Sequence, residues 1–356
     1  MAGRASRRQG RAPTISDVAS RAGVSPMTVS RVINGETNVR PATRDLVNAA
    51  IAALNYAPNP AAQSLAGVNQ IRIGLLFSNP SAAYLSAFLV GGLDQASRGN
   101  VQLVVQKCEP EDNEGDVARQ LLAGGVDGLI LPPPLCDNGH VLEVLAESGI
   151  PAVAVATGRQ AEGLSTVSID DYQAAFAMTR HVADLGHRRI GFIIGNPNQT
   201  VSERRLAGYR DALAAAGLPA APELEVAGLF TYRSGLDAAE RLLNGSTRPT
   251  AIFASNDDMA AATVAVAHRH GLDVPGDLAV CGFDDTALAT TIWPELTTIH
   301  QPIGDMSRAA VELLTDAVRR MRAGEPVEHR RLLLDFTLVR RQSDAAPRKG
   351  SAARRR

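Results

Sequence analysis

Polar residues standing directly after short apolar runs are the ones placed to do chemistry in this sequence. Ser78 and Asn79 follow RIGLLF, Pro132 follows GLIL, and Ala156 and Thr157 follow or close AVAVA. Asp170 follows TVSI, Asn196 follows RIGFIIG, Asn256 and Asp257 follow AIFAS, and Asp284 and Asp285 follow LAVCGF. Carboxylate, amide and guanidinium groups gathered at such positions can pair with the vicinal hydroxyls of a sugar, and a ring such as Phe230 or Trp293 can stack on its apolar face. Asp170, Asp257 and Asp285 have a second reading as caps of the helices that follow. For Asp170 and Asp257, both at helix starts, capping is the preferred one. No apolar run leads into G-x-G-x-x-G or a Walker loop, and no G-x-S-x-G elbow occurs, which argues against nucleotide, dinucleotide and serine-esterase chemistry. His268 and His270 are two apart on one helix and cannot share a face as metal ligands. Cys108, Cys136 and Cys281 are odd in number and far apart, so they read as reduced, mostly buried thiols and not as a disulfide framework or zinc site. No catalytic residue, cofactor or metal is expected.

The elements that must position those residues alternate. From Arg72, strands recur between helices near 84–98, 113–124 and 138–148, and after AVAVA the pattern starts again with TVSID and helices near 172–185, 202–216, 234–243 and 257–270. Alternation of this kind predicts parallel sheets covered on both faces. Two such halves imply a cleft, and ligands collect outside the carboxyl ends of parallel strands.

The 356 residues exceed one ordinary core, and 45% apolar with 21% charged residues fits a soluble globular chain. No stretch approaches the roughly 20 uncharged apolar residues of a membrane span, and the basic start MAGRASRRQGRAPT leads into no apolar signal segment, so a cytoplasmic location is expected. The net charge of −1 hides a split: residues 1–67 carry eight Arg against Asp17, Glu36 and Asp45, about +5, and the remainder is about −6. Such a split predicts a polyanion-binding head on a larger body.

Three short helices are legible in that head. Thr14 with Asp17 three residues on approximates a capping box, and Gly23 stops the helix. Ser25 caps a second helix with Pro26 at its first position, where a missing N–H costs nothing. The tight AGVS turn between them has helix-turn-helix spacing. In PMTVSRVIN one face holds Val29, Val32 and Ile33 while Met27, Ser30, Arg31 and Asn34 share the other, free to meet bases and phosphates. Pro41 opens a third helix whose Leu46, Val47, Ala50 and Leu54 are expected to close a small core on Ile15, Val18, Ala19 and Val29.

DVASRAGVS, TVSRVIN, LNYAPN and AQSLAG, occurring in order from Thr14 to Gly67, closely resemble the headpiece of the LacI/GalR family of bacterial transcription regulators. The resemblance implies that Pro26, Met27, Ser30 and Arg31 meet the major groove, and that Thr14, Ser25, Asn34, Asn38, Thr43, Tyr56 and Asn59 hold the DNA backbone or its neighbourhood. Neither Pro26 nor Met27 can make a bidentate base contact, so they offer shape and apolar contact. Arg40 stands where the family has a small polar cap, and trades that cap for a phosphate contact. NPAAQSLAG, with Gln63, falls at the family's hinge helix, which forms only on DNA against the partner's; Leu65 would be its minor-groove wedge. Alone it offers about two turns, too few for an isolated helix.

LGHRRIGFIIG, RLAGYRDAL, PTAIFASNDDMA and WPELTTIHQP extend the resemblance through the body, which implies an effector-binding core of periplasmic-binding-protein type. Effector contacts are then implied for Arg205, Asn256, Asp284 and Gln301, with Phe230 as a pocket aromatic, Tyr84 at the mouth and Ser78 at the first strand end. Ala156 replaces an acid that several relatives carry, and the PPP run at 132–134 lacks an amide, so the first half of the pocket is less polar.

The expected organisation is a disordered basic arm (1–13), helix-turn-helix domain (14–58), hinge helix (59–68), a core (69–341) and a disordered basic tail (342–356). The core divides into about 69–166 with 297–326, and 167–296 with 327–341, two doubly wound parallel α/β subdomains. The resemblance implies a homodimeric repressor of a carbohydrate-utilisation operon, bound to a palindromic operator and released by a small sugar-like effector. The alternatives are a corepressor-dependent or dual regulator, and a transporter's solute-binding protein. The polar tail lacks tetramer-forming Leu heptads, which leaves a dimer.

Overall fold

The computed structural model describes residues 13–33, 39–54, 56, 70–78, 81–109, 112–159, 163–219, 221–245 and 248–348. The chain divides into two units, Met1–Gln70 and Ile71–Arg356. The first contains α1 (Ile15–Ala22), α2 (Pro26–Ile33) and α3 (Pro41–Leu54). Local chemistry sets their ends. The Thr14 N–H and hydroxyl both donate to Asp17 Oδ2, at 2.8 and 2.7 Å, and Gly23 ends α1 at φ 67°, a left-handed conformation suited to glycine. Ser25 Oγ accepts the Thr28 N–H at 3.2 Å. Val18, Ala19, Val29, Val32, Val47 and Ala50 form the head's core. Leu46, expected in that core, is 57% exposed. A step of about 100° per residue turns it roughly 90° from the centre of the face that Val47 and Leu54 define.

The second unit holds two parallel sheets. Strands β1 (Ile71–Phe77), β2 (Val101–Lys107), β3 (Gly128–Leu131), β4 (Ala152–Val155), β5 (Ser165–Ser168) and β11 (Arg331–Leu333) form the first, in the order β11-β5-β4-β3-β1-β2. Strands β6 (Ile190–Ile194), β7 (Glu225–Ala227), β8 (Ala251–Ala254) and β9 (Ala279–Cys281) form the second, ordered β7-β6-β8-β9. β10 (Thr298–His300) pairs antiparallel with β12 (Thr337–Val339). The helices that cover the first sheet include α4 (Ala82–Arg98), α5 (Glu114–Ala123), α6 (Gly139–Ser148) and the long α12 (Ile303–Ala323). The second lobe brings α7 (Asp171–Asp184), α8 (Thr200–Ala215), α9 (Tyr232–Asn244), α10 (Asp257–Arg269) and the single turn α11 (Leu288–Thr291). No helix among the described residues is long and apolar enough to cross a membrane.

The structure corrects two expected boundaries. β5, expected to open the second half, pairs with β4 (Val153 opposite Ser165), and β11, also expected in the second half, pairs with β5. Parallel neighbours normally need a helical crossover, but no helix appears among the described residues of 156–164, so the alternation looked like a restart. The tail expected to be disordered from 342 is packed through its first seven residues. Ser343 Oγ donates to the Val280 carbonyl at 2.6 Å, and Asp344 accepts from Thr297 Oγ1 at 2.5 Å and meets His181 Nε2 at 2.6 Å. The first of these bonds, together with the Val280 N–H donating to the Ser343 carbonyl at 2.8 Å, satisfies the edge of β9, which is why a polar segment is held there.

Candidate functional site

The headpiece presents a largely exposed face on α2. Pro26, Met27 and Arg31 are exposed and Ser30 is half-buried. Met27 is 65% exposed, so it does not join the core. Arg40 is exposed, and its carbonyl accepts the N–H groups of Thr43 and Arg44 at the start of α3. Thr43 is half-buried, and Tyr56 packs against the head's core. Asn34, Asn38, Asn59, Gln63 and Leu65 lie outside the described residues, as does the hinge segment.

In the body, strand ends from the two sheets converge on one pocket. It encloses about 400 Å³, counted to its open mouth, and is lined by Ser81, Tyr84, Pro133, Ala156, Gln199, Val201, Arg205, Phe230, Asn256, Asp284 and Gln301. Six of the seven expected effector residues are therefore together. Ser78 is half-buried and is not part of the lining; Ser81, at the cap of α4, stands there instead. Ser78 lies at the end of β1, whereas Ser81 stands three residues on, where the chain turns into the helix.

Arg205 is the most constrained group. It is 4% exposed; its Nε donates to Asp171 Oδ1 at 2.8 Å and its Nη1 to the Ser255 carbonyl at 2.5 Å. The guanidinium carbon lies 3.6 Å from the Phe283 ring centroid and 5.7 Å from that of Phe230. A buried charge needs such partners because desolvation otherwise outweighs attraction. Burial pushes the Asp171 carboxyl up while Arg205 pulls it down. Asp284, at φ 111°, accepts from Gln301 Nε2 at 2.6 Å. Its carboxyl sits well above the usual range because it is buried, with Arg205 opposing and Asp257 adding to the rise.

Unmet hydrogen-bonding capacity collects in the same place. Tyr84 Oη and Gln301 Oε1 are buried without a partner, as is Ser255 Oγ close by. Buried polar atoms normally have partners, so orphans in a pocket point to an occupant. Burial, then Asp284, raises the Tyr84 hydroxyl well above its ordinary value, leaving it a donor. Backbone strain gathers here too: Ala156, Phe230, Asp284 and Asp285 are non-glycine residues at φ 54°, 60°, 111° and 56°, and three of them line the pocket. Asn256 holds one of these positions, its amide donating to the Phe230 carbonyl at 3.0 Å while its oxygen accepts the Met259 N–H at 3.0 Å. The Phe230 ring lies so close to Gly195 that a Cβ there would overlap it.

The capping expectations divide. Asp170 caps α7 through the Gln173 N–H at 3.1 Å. Asp257 does not cap α10; Asn256 does, and Asp257 is its buried first residue. Asp285 caps nothing and instead accepts from Arg341 Nη2 at 2.5 Å and meets His300 Nδ1 at 3.0 Å. Trp293, weighed as a stacking ring, is 74% exposed and outside the lining: it follows the single turn α11 and does not stand at a strand end. Asp171, Gln199 and Val201 went unnoticed in the sequence. Asp171 adjoins a strand-end acid and could have been found by asking what neutralises Arg205; Gln199 and Val201 carry no sequence signal. The three cysteines are free and buried. His270 pairs with Glu240 at 2.7 Å, and no cluster of potential metal ligands occurs among the described residues.

Comparison with known proteins places both halves. The model for bacterial regulatory proteins of the lacI family matches residues 14–59, and that for a periplasmic binding protein-like domain matches residues 179–343. Catabolite control protein A of Priestia megaterium is 36% identical over 304 residues, covering 85% of this chain and 91% of that one. Among solved structures, the complex of the transcriptional regulator CelR with cellobiose aligns with TM-score 0.71 at 33% identity, covering 93% of this chain and 99% of that one. The lac repressor dimer bound to operator and the anti-inducer ONPF aligns with TM-score 0.78 at 30% identity, covering 94% and 100%. The chain belongs to the lacI family of bacterial regulatory proteins and is a DNA-binding transcriptional regulator.

Proposed function

We propose that the protein is a dimeric repressor that binds a palindromic operator and is released when a small sugar or sugar derivative enters the cleft between its lobes. The observation that carries this reading is the pocket itself. Arg205, Asp284, Gln301 and Tyr84 converge on one buried space beside the Phe230 ring, and two of their polar atoms lack partners. A polyol with an apolar ring face matches that set, since its hydroxyls both donate and accept. CelR, a similar protein, has been solved with cellobiose, and the similar lac repressor as a dimer on operator; both support the reading.

On DNA, the α2 helices of two protomers would enter successive major grooves, presenting Pro26, Met27, Ser30 and Arg31. Arg40, Thr14, Ser25, Thr43, Tyr56, Asn34, Asn38 and Asn59 would act at or near the phosphates. Residues 59–68, including Gln63, would fold on the operator, with Leu65 wedged into the minor groove and kinking the duplex. Closure of the lobes on the sugar shifts the population away from the DNA-competent state.

Thermal-shift measurements with cellobiose and a panel of mono- and disaccharides test the ligand side, because a true effector raises Tm by mass action. Leu65→Ser tests the DNA side: it should abolish tight operator binding in a mobility-shift assay while leaving the sugar-induced rise in Tm intact. Wild-type operator binding by Leu65→Ser would rule out the hinge mechanism.

A further inference from the structure

Asp257 is fully buried, yet it is absent from the pocket lining and does not cap its helix. Its hydrogen bonds lead elsewhere. Oδ2 accepts the Thr286 N–H at 2.8 Å and the Thr286 hydroxyl at 3.1 Å, and Oδ1 accepts the Thr298 hydroxyl at 2.7 Å. Thr286 stands two residues after Asp284, and Thr298 three residues before Gln301. A third segment is involved as well, because a Cβ on Gly282 would overlap Asp257 Oδ1. The carboxylate thus sits where the end of β9, the strained turn at Asp284 and Asp285, and β10 converge. Asp284 and Gln301 are bonded to each other across that junction, and the Asp284 N–H donates to the Ile299 carbonyl at 2.8 Å.

We propose that Asp257 is a positioning residue for the effector site, holding the Asp284 turn and β10 so that Asp284 and Gln301 face the pocket as a pair. The proposal rests on the ligand reading of the pocket, but the clamp's bonds are made wholly by the chain's own residues. Remote hydrogen-bonded partners of this kind fix first-contact groups to within the tolerance that recognition needs. Burial pushes the Asp257 carboxyl up to about 7, so the neutral isostere asparagine can reproduce much of the clamp, with its oxygen on the Thr286 N–H and its amide on Thr298 Oγ1.

Hydrogen-exchange mass spectrometry on the full-length, ligand-free chain tests the clamp, comparing wild type, Asp257→Asn, Asp257→Ala and Thr298→Val. Asp257→Ala should exchange at least about tenfold faster across 282–301, with protection in β6 and β8 within about twofold of wild type; Asp257→Asn should stay near wild type. Unchanged protection at 282–301, or a loss spread equally over β6 and β8, overturns the proposal, the latter by making Asp257 a general core residue. If Asp257→Ala fails to fold, Thr298→Val decides: faster exchange at 298–301 supports the clamp, and unchanged exchange overturns it. Cellobiose is the binding probe. Where wild type binds it, Asp257→Ala or Thr298→Val should weaken it at least about tenfold at an unchanged fold, and Asp257→Asn less than about threefold; equal affinity in all four overturns the positioning role. No binding of cellobiose by wild type counts against that sugar and leaves exchange to decide the clamp.

Discussion

The two walls of the cleft are built on opposite principles. The second lobe supplies Arg205, Asn256, Phe230 and Asp284, with Gln301 beside them, and almost every one is held by a bond to another part of the same lobe. The first lobe supplies Pro133 and Ala156, which carry no side-chain hydrogen-bonding group, with Ser81 and the orphan hydroxyl of Tyr84. One wall is a rigid polar template whose charges are already satisfied. The other is an apolar cover with one free donor. Preorganised groups cost little to order on binding, so affinity for a polar ligand should come from the second lobe and discrimination from the fit of the first.

The sharpest break in this contrast is Arg205→Ala. It strands the buried Asp171 carboxylate, so stability should fall by about 3–5 kcal/mol and sugar binding should vanish, read by urea unfolding and titration calorimetry. A loss below about 1 kcal/mol would show that the polar wall is not held by this pair. Tyr84→Phe probes the opposite wall and should act with opposite signs. The unliganded chain should gain up to about 1 kcal/mol by losing an unsatisfied hydroxyl, while sugar affinity drops about tenfold, near 1.4 kcal/mol. Loss of both stability and affinity would mean that the hydroxyl is satisfied without ligand.

The polar wall should also leave a signature in pH. Asp257 is pushed from 3.8 up to about 7, and Asp284 and Asp171 are raised as well. An acid raised on folding binds more protons in the native than in the unfolded chain, so its contribution is full below about pH 4 and is lost as pH climbs toward 7. Between those limits wild type should lose more stability with rising pH than Asp257→Asn, and parallel profiles would remove Asp257 as the source. The smallest effect is expected at the apolar cover. Ala156→Asn places at φ 54° a residue that tolerates this conformation, so the backbone is not strained further, while preference among sugars in the thermal-shift panel moves toward those with more hydroxyls.

The contrast between the walls also explains what was legible in the sequence. The head was readable because its signals are local: Thr14 with Asp17, Gly23, and Ser25 before Pro26 fix helix ends within four residues. Leu46 escaped because a helix rim cannot be told from a helix face by spacing alone. In the body, alternation revealed both sheets but misplaced β5, whose connection from β4 lacks the helix that marks a crossover. The strand-end rule located Asp284 and Asn256, Phe230 stood out as a ring able to stack on a sugar, and family resemblance added Arg205 and Gln301. Their partners stayed hidden because Asp171 meets Arg205 across 34 residues, and Asp257 meets Thr298 across 41. The packed tail at Ser343 and Asp344 was missed for the same reason, since composition reports solubility and not a bonding partner elsewhere.

In the proposed mechanism, occupancy of the cleft governs binding of the head to DNA. Operator affinity, measured by fluorescence anisotropy at fixed salt with and without a sugar that raises the wild-type Tm, tests it most directly. Saturating sugar should weaken operator binding at least about tenfold in wild type and leave Tyr84→Phe less responsive at the same concentration. A sugar that binds the cleft and leaves operator affinity unchanged would show that cleft and head are uncoupled.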